Sequence, residues 1–317
     1  MRGLFDKTEK DFQEYFSEDQ VEIVVIGAGV MGATIAQYLR LKGHQVLILD
    51  NEHPESGSKP CGGLIKPSRF TELDNDEFKI VISVLDECFG LYPVKMILRP
   101  SGNLVKVATY GLNMDNIFGV DKTWGKVEFI NPKGVLYYQD VKKRIHKVKF
   151  KKAVISAAYE SKELLPELAD PLGLIVKRGF SFHFKGKIDQ DFVKFWAPYK
   201  QVTVHNSHYQ GEEIVWAGDG SALTLPSWYE KRIDESYQRV IRELGTGYEL
   251  IRVVKGLRCF TRSKKYKPCA IVKMDTCYMA VGSGKMGLIS AGFSANKIWQ
   301  DEFNTKKDRH FTRRSMA

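Results

Sequence analysis

Three patterns of hydrophobic and polar positions divide this chain. The first is the apolar run. Val21–Ile26 is largely β-branched and apolar, the mark of a strand buried on both faces. Glycines follow it, then a helix predicted from about Met31 to Lys42 with Gly43 as its stop, then a second apolar strand, Val46–Leu49, ending at Asp50. Strand, helix and strand make a βαβ unit. The second pattern is alternation. "RGFSFHF", "KQVTVH" and "EEIVWAG", between Lys177 and Gly218, predict an antiparallel sheet, and "VKMILRPSGNLVKVATY" predicts a hairpin about the turn Pro100–Asn103. The third is helical spacing. Phe5, Phe12, Tyr15 and Phe16 predict a short amphipathic helix over 4–17, packed on the body of the protein, and further helices are expected over 71–90 and over Pro226–Leu244.

Between these lie connections with their own signatures. "HPESGSKPCGGLIKP" is punctuated by Pro, Gly and Ser and reads as a loop. "KAVISAAYESKELLPEL" reads as strand, turn and helix. The chain closes with a strand around Tyr278–Val281, the glycine-rich "GSGKMG", a helix through "ISAGFSANKIWQDEF" and a basic tail, "KKDRHFTRR". The order βαβ, mixed sheet, βα implies an α/β protein of two interleaved domains rather than two successive ones.

Composition narrows this picture little. A hydrophobic fraction of 43% over 317 residues suits a globular chain with a sizeable core. The net charge of +10 favours anionic partners but also serves plain solubility. Five cysteines, without a C-x-x-C pair or a zinc-like histidine spacing, point to a reducing compartment and to no metal site. The charged start lacks the apolar core of a signal peptide, and no apolar run approaches membrane-spanning length, so a cytoplasmic protein with no membrane partner is expected.

Candidate chemistry begins at Gly27, Gly29 and Gly32, a G-x-G-x-x-G between a strand and a helix. Gly27 permits the tight turn, Gly29 lets the backbone approach a pyrophosphate, and Gly32 lets the helix lie close to the sheet. With Ala28, Val30 and Met31 they place backbone N–H groups and the helix dipole where phosphates would sit. Asp50, followed by Asn51, is placed to accept hydrogen bonds from the adenosine ribose. The pattern does not separate FAD from NAD.

Three later stretches bear on that choice: "SGSKPCGGLIKPSRF", "AVISAAYES", and "GLRCFT" ahead of "YMAVGSGKMGLISAG". In this order they resemble the FAD-dependent D-amino-acid-oxidase-like (DAO) family, which includes glycine oxidase, sarcosine oxidase and the FAD part of a tRNA wobble-uridine-modifying enzyme. The resemblance covers most of the chain, thinly between about residues 75 and 135. It implies a Rossmann-like FAD-binding domain (1–75, 135–175 and 255–317) interleaved with a smaller antiparallel-sheet, α+β substrate domain (76–134 and 176–254). It also implies that Cys61, Gly62 and Gly63 lie by the isoalloxazine and that Ala157 and Ala158 touch the nucleotide, with Tyr159 where the family usually has glycine. Gly282, Gly284, Lys285, Met286 and Gly287 would pass the pyrimidine edge, where N–H groups and Lys285 would stabilise negative charge on the reduced ring.

The resemblance further implies that Arg258 grips a substrate carboxylate, a task suited to the planar guanidinium fork. Cys259, where most members have proline, is expected to be a small buried residue without a bond to flavin. The implied activity is oxidation of the C–N bond of an amino acid or secondary amine bearing a carboxylate, with hydride passing to flavin and the imine hydrolysing. Tyr209, Trp216 and Asp219 are expected as pocket contacts, and His183, His205 and His208 as sheet-face residues. Three basic stretches, "KKRIHKVKFKK" (142–152), "RSKKYK" (262–267) and the tail, raise the alternative of a glycine-type adduct carried on a nucleic-acid base. A third reading is an FAD-binding scaffold without catalysis.

Overall fold

The computed structural model describes residues 7–12, 14–65, 73–98, 104–197, 200–223, 229–262, 268–284 and 286–304. Of the helix expected over 4–17, the described part is a single 3-10 turn, Glu9–Phe12, and strand β1 begins at Ser17, four residues before the apolar run. The cause is long-range. Ser17–Gln20 lie in register with His146–Lys149, and Glu18 takes ion pairs from Lys147 and Lys149.

Along the chain, β1 (Ser17–Ile26), α1 (Val30–Leu41) and β2 (Val46–Asp50) form the expected βαβ unit. After β3 (Leu64–Ile65) comes α2 (Asn75–Phe89), which starts where Asp74 and Glu77 make a reciprocal capping box. Strands β4 (Tyr92–Leu98) and β5 (Leu104–Gly111) pair as the predicted hairpin, its turn lying outside the described residues. Helix α3 (Met114–Phe118) leads to β6 (Thr123–Trp124), β7 (Lys126–Asn131), β8 (Val135–Gln139) and β9 (Ile145–Ile155). Two short helices, α4 (Ser161–Leu164) and α5 (Pro166–Ala169), break at Leu165, ahead of a proline. Then come β10 (Leu174–Lys185), β11 (Phe192–Ala197), β12 (Lys200–Tyr209), β13 (Glu212–Gly218), β14 (Ala222–Leu223), α6 (Tyr229–Leu244) and β15 (Leu250–Thr261). The chain ends with β16 (Ala270–Met274), β17 (Cys277–Val281) and α7 (Gly287–Glu302).

These strands build two sheets. The first runs β16-β17-β9-β1-β2-β6, with the β7–β8 hairpin joined to β9, and its centre is parallel. The second runs β14-β10-β13-β12-β11-β4-β5-β3, with β15 also paired to β10, and is largely antiparallel. β15 thus hydrogen-bonds into the second sheet and β7–β8 into the first, so sheet membership divides the chain differently from boundaries at 134 and 255.

Alternation explains the packing. Ile23 and Val25 face the side covered by α1, α2 and α7, whereas Val24 and Ile26 face the side closed by β7, β8 and α5. On the second sheet Phe180, Phe182, Phe184, Val204 and Val215 join Ile233 and Val240 of α6 in a separate core. The opposite face of that sheet is poor in apolar residues, and it turns toward the glycine-rich loops of the first.

Candidate active site

The βαβ turn is built by close approach. At Gly27 (φ +96°) a Cβ would lie 2.8 Å from the carbonyl oxygen of Ser156, at the end of β9. One at Gly32 would overlap the Gly27 carbonyl oxygen, so α1 crosses the turn at a distance that only glycine allows. Buried Ser156 ties these pieces together, its hydroxyl donating to Ile26 O (3.0 Å) and Gly27 O (3.2 Å). Ser58, in the loop after β2, accepts the Val30 N–H through Oγ at 2.8 Å, and Met31 follows in the same first turn of α1. The Asp50 carboxylate accepts from the N–H groups of Ala28 and Glu52, which holds it against the Gly27 turn. Asn51 donates to Glu160 at 3.4 Å, linking that corner to the turn after β9. There the left-handed residue is Ala158 (φ +52°), next to Ala157; Tyr159 has its ring under the Lys162 ammonium, 3.8 Å from the centroid.

These residues fit the adenosine diphosphate half of FAD. Gly29 caps α1 without a side chain, and the Cβ it lacks would meet first only the rotatable Ser58 hydroxyl at 2.8 Å. The helix N-terminus and the Asp50 carboxylate lie on the same turn.

The second half of the site forms around β15. The loop after β2 lies along one side of it: Leu257 N–H donates to Glu55 O (2.8 Å), and a Cβ on Gly256 would meet Pro60 at 2.7 Å. The C-terminal glycine loop lies further along the same edge, the one away from β10: Gly284 N–H donates to Cys259 O (2.8 Å), and Gly282 (φ +80°) and Gly284 (φ +54°) pack against Thr261 and Phe260. "GLRCFT" is therefore a strand with β10 on one edge and both loops along the other, not a loop itself. Met286 N–H donates to Ser283 O as the chain enters α7 at Gly287. Lys285 lies outside the described residues.

Arg258 lies on the polar face of the second sheet, in register with Lys177. Its guanidinium lies across the neighbouring strand, where a Cβ on Gly179 would be 2.6 Å from Arg258 Nε. Among the described residues no carboxylate forms an ion pair with it. Burial pushes its pKa down, opposed by the nearby Cys61, Tyr229 and Asp219. Cys61, in the facing loop, has its thiol pushed up by burial and pulled back by the Arg258 charge. Alternation along β15 sends the Cys259 side chain to the opposite face from Arg258, and burial pushes that thiol up to about 11.

Further along the same face His183, Trp216 and His205 stand in one row across β10, β13 and β12, with Arg252 of β15 at its end. Trp216 donates through Nε1 to Pro60 O at 3.2 Å. A Cβ on Gly62 would lie 2.6 Å from His205 Nε2 and 2.7 Å from the Trp216 ring, so this sheet's own side chains demand glycine there. Gly63 (φ +75°) packs on the Leu112 carbonyl. Both histidines are fully buried and neutral at physiological pH: burial lowers His183 to about 3, aided by the Arg252 charge, and lowers His205 to about 4. His183 Nδ1, His205 Nε2 and Arg252 Nε are buried without a partner, so the row has unused hydrogen-bonding capacity. His208 is exposed, Tyr209 packs edge-on against His183, and Asp219 is committed to Arg239 at 2.6 Å.

Ser58, Ser156, Gly179 and Lys177 escape a reading of the sequence, though an isolated glycine inside "RGFSFHF" does signal a close approach. Among the described residues no cluster of three metal-ligating side chains occurs and no helix is long and apolar enough to cross a membrane. The basic stretch 142–152 lies toward the far end of β9. Lys147 and Lys149 pair with Glu18, and Lys152 pairs with Glu302. The stretch 263–267 and the tail from 305 lie outside the described residues.

A parallel sheet entered through a glycine-rich turn and a second, largely antiparallel sheet carrying Arg258 define a two-sheet, Rossmann-like α/β architecture. Residues 22–112 match the model of the DAO family, "FAD dependent oxidoreductase". Solved structures share the fold. An FAD-dependent oxidoreductase from Pseudomonas aeruginosa superposes with TM-score 0.66 at 12% identity, over 90% of this chain and 91% of that one. Glycine oxidase from Bacillus cereus gives 0.63 at 14% identity (88% and 93%), and iminodiacetate oxidase from Chelativorans gives 0.62 at 11% (87% and 93%). No curated protein matches the chain in sequence.

Proposed function

We propose that the chain binds FAD and oxidises the C–N bond of a small amino acid or secondary amine that bears a carboxylate. The observation that supports this best is Arg258: a half-buried guanidinium without a carboxylate partner among the described residues, on a strand whose free edge carries both the loop after β2 and the Gly282–Gly284 loop. Gly27, Ala28, Gly29, Val30, Gly32 and Asp50 would hold the adenosine and pyrophosphate, and Gly62, Gly63, Gly282 and Gly284 border the flavin end. FAD, when bound, supplies the two-electron acceptor.

The protein's own part is orientation. Arg258 pairs with the carboxylate through two parallel hydrogen bonds and fixes which hydrogen of the adjacent carbon faces the cofactor. The oxidised C–N bond is an imine, which water hydrolyses to a carbonyl compound and an amine. The described ion pairs of the 142–152 stretch lend no support to a nucleic-acid-borne substrate, so the free amine is the reading adopted.

Purified protein should be yellow with an oxidised-flavin spectrum, and anaerobic mixing with amino acids and N-alkyl glycines should bleach it. Arg258→Ala should weaken carboxylated substrates about 10- to 100-fold, since charge-assisted hydrogen bonds contribute about 1.5–3 kcal/mol. An equal effect on simple amines would remove Arg258 from the site.

A further inference from the structure

Lys177 and Arg258 are directly opposite one another on β10 and β15 and so share one face of the sheet. Like charges so placed repel, and sheets elsewhere in this protein avoid the arrangement. Lys147 and Lys149 flank Glu18, Lys194 meets Glu243, Arg252 meets Glu212, and even Arg178, next to Lys177 but on the other face, meets Glu55. Among the described residues no carboxylate pairs with Lys177 or with Arg258.

The two cations also diverge. Arg258 leans toward Gly179, whereas the Lys177 ammonium lies 5.1 Å from the centre of the Phe260 ring. Phe260 itself packs on Gly284, so Lys177 is carried toward the C-terminal glycine loop. The side chains start about 5 Å apart at Cβ, as cross-strand pairs do, and separate further toward their charged ends.

The geometry points to a substrate with two anionic groups, one held by Arg258 and the other by Lys177, with the amine between them. This rests on the amine-oxidising reading above and deepens it: the substrate class becomes an amine carrying a carboxylate and a second carboxylate or phosphonate. Lys177 sets that preference, because a compact ammonium neutralises a second anion without demanding the two-pronged geometry of an arginine.

The test is calorimetric binding of three ligands to the flavin-loaded protein, its flavin chemically reduced beforehand and oxygen excluded so that no turnover occurs: N-methylglycine, iminodiacetate and N-phosphonomethylglycine. At least one dianion should bind about tenfold or more tightly than N-methylglycine, with the advantage shrinking in high salt. Lys177→Gln should bring the ratio toward one, and Lys177→Arg should restore most of it. Whichever dianion gains more identifies the second group. Absence of any dianion preference, or its survival in Lys177→Gln, overturns this proposal while leaving Arg258 in place. Binding of none of the three, with Arg258→Ala indistinguishable from the parent, overturns the amine-oxidising reading and this proposal with it.

Discussion

Arg258 lies against the backbone of Gly179, on the strand beside its own, so closely that a Cβ at 179 would fall 2.6 Å from Nε and 2.7 Å from Cζ. The glycine is thus a seat for the guanidinium. Gly179→Ala should push the arginine out of position at an overpacking cost of about 1–3 kcal/mol. The expected result is a loss of affinity for carboxylated ligands with flavin retained. Titration of such ligands against the flavin spectrum measures it, and unchanged affinity would show that the guanidinium has another stable position.

Gly29 offers a cleaner probe of the nucleotide cradle than Gly27 or Gly32. Its backbone is extended (φ −66°, ψ −179°), so alanine adds no backbone strain, and the new Cβ displaces only the Ser58 hydroxyl and its bond from Val30 N–H. Gly29→Ala should cost no more than about 0.5–1.5 kcal/mol of stability, the worth of that one hydrogen bond. Flavin content per protein should nevertheless drop, because the methyl group stands where the backbone must approach a pyrophosphate. Full flavin occupancy in the variant would place the cofactor's phosphates elsewhere.

The two buried histidines link stability to pH. Both are held neutral in the folded protein, His183 down to about 3 and His205 to about 4, whereas in the unfolded chain each titrates near the ordinary value of 6.5. Their contribution is complete above that value and is lost as the pH falls toward the folded values, since only the unfolded chain takes up the protons. His183→Asn should reduce the slope of unfolding free energy against pH by about 1.4 kcal/mol per unit between about 6 and 4. Chemical denaturation across that range reads the slope; parallel lines for parent and variant would mean that His183 is protonated in the folded state.

Glu302 fastens the end of α7 to the first sheet. It accepts from Lys152 at 2.5 Å and also from Lys273 and Tyr278. Burial raises its pKa, but these partners outweigh that and bring it to about 2. The stabilisation is present above the ordinary value of 4.5 and disappears as the pH drops through about 2. Glu302→Gln should therefore lower stability by about 1.5–3 kcal/mol at pH 7. The difference from the parent should close as the pH approaches 2, and a constant difference would assign the loss to packing alone.

What this sequence determines by itself is local. Val21–Ile26, the glycines of the first turn and Asp50 sit within thirty residues of one another, so apolar pattern, turn chemistry and a terminal carboxylate together specify the βαβ unit. The alternating segments after Lys177 and the helix at 287–302 were legible for the same reason, because their periodicity is internal to each element.

Pairing across long stretches of chain decides the rest. Residues 14–17, read as the end of a helix, lead into a strand because His146–Lys149 are there to pair with it. Of the basic stretch 142–152, which raised the alternative of a polyanion surface, Lys147 and Lys149 pair with Glu18 and Lys152 pairs with Glu302. The motif singled Arg258 out as a candidate, but its place against Gly179 and beside Lys177 could not be read from it. Both arise from the register of β10 against β15, and register is set by the burial of whole sheet faces rather than by any short run of residues.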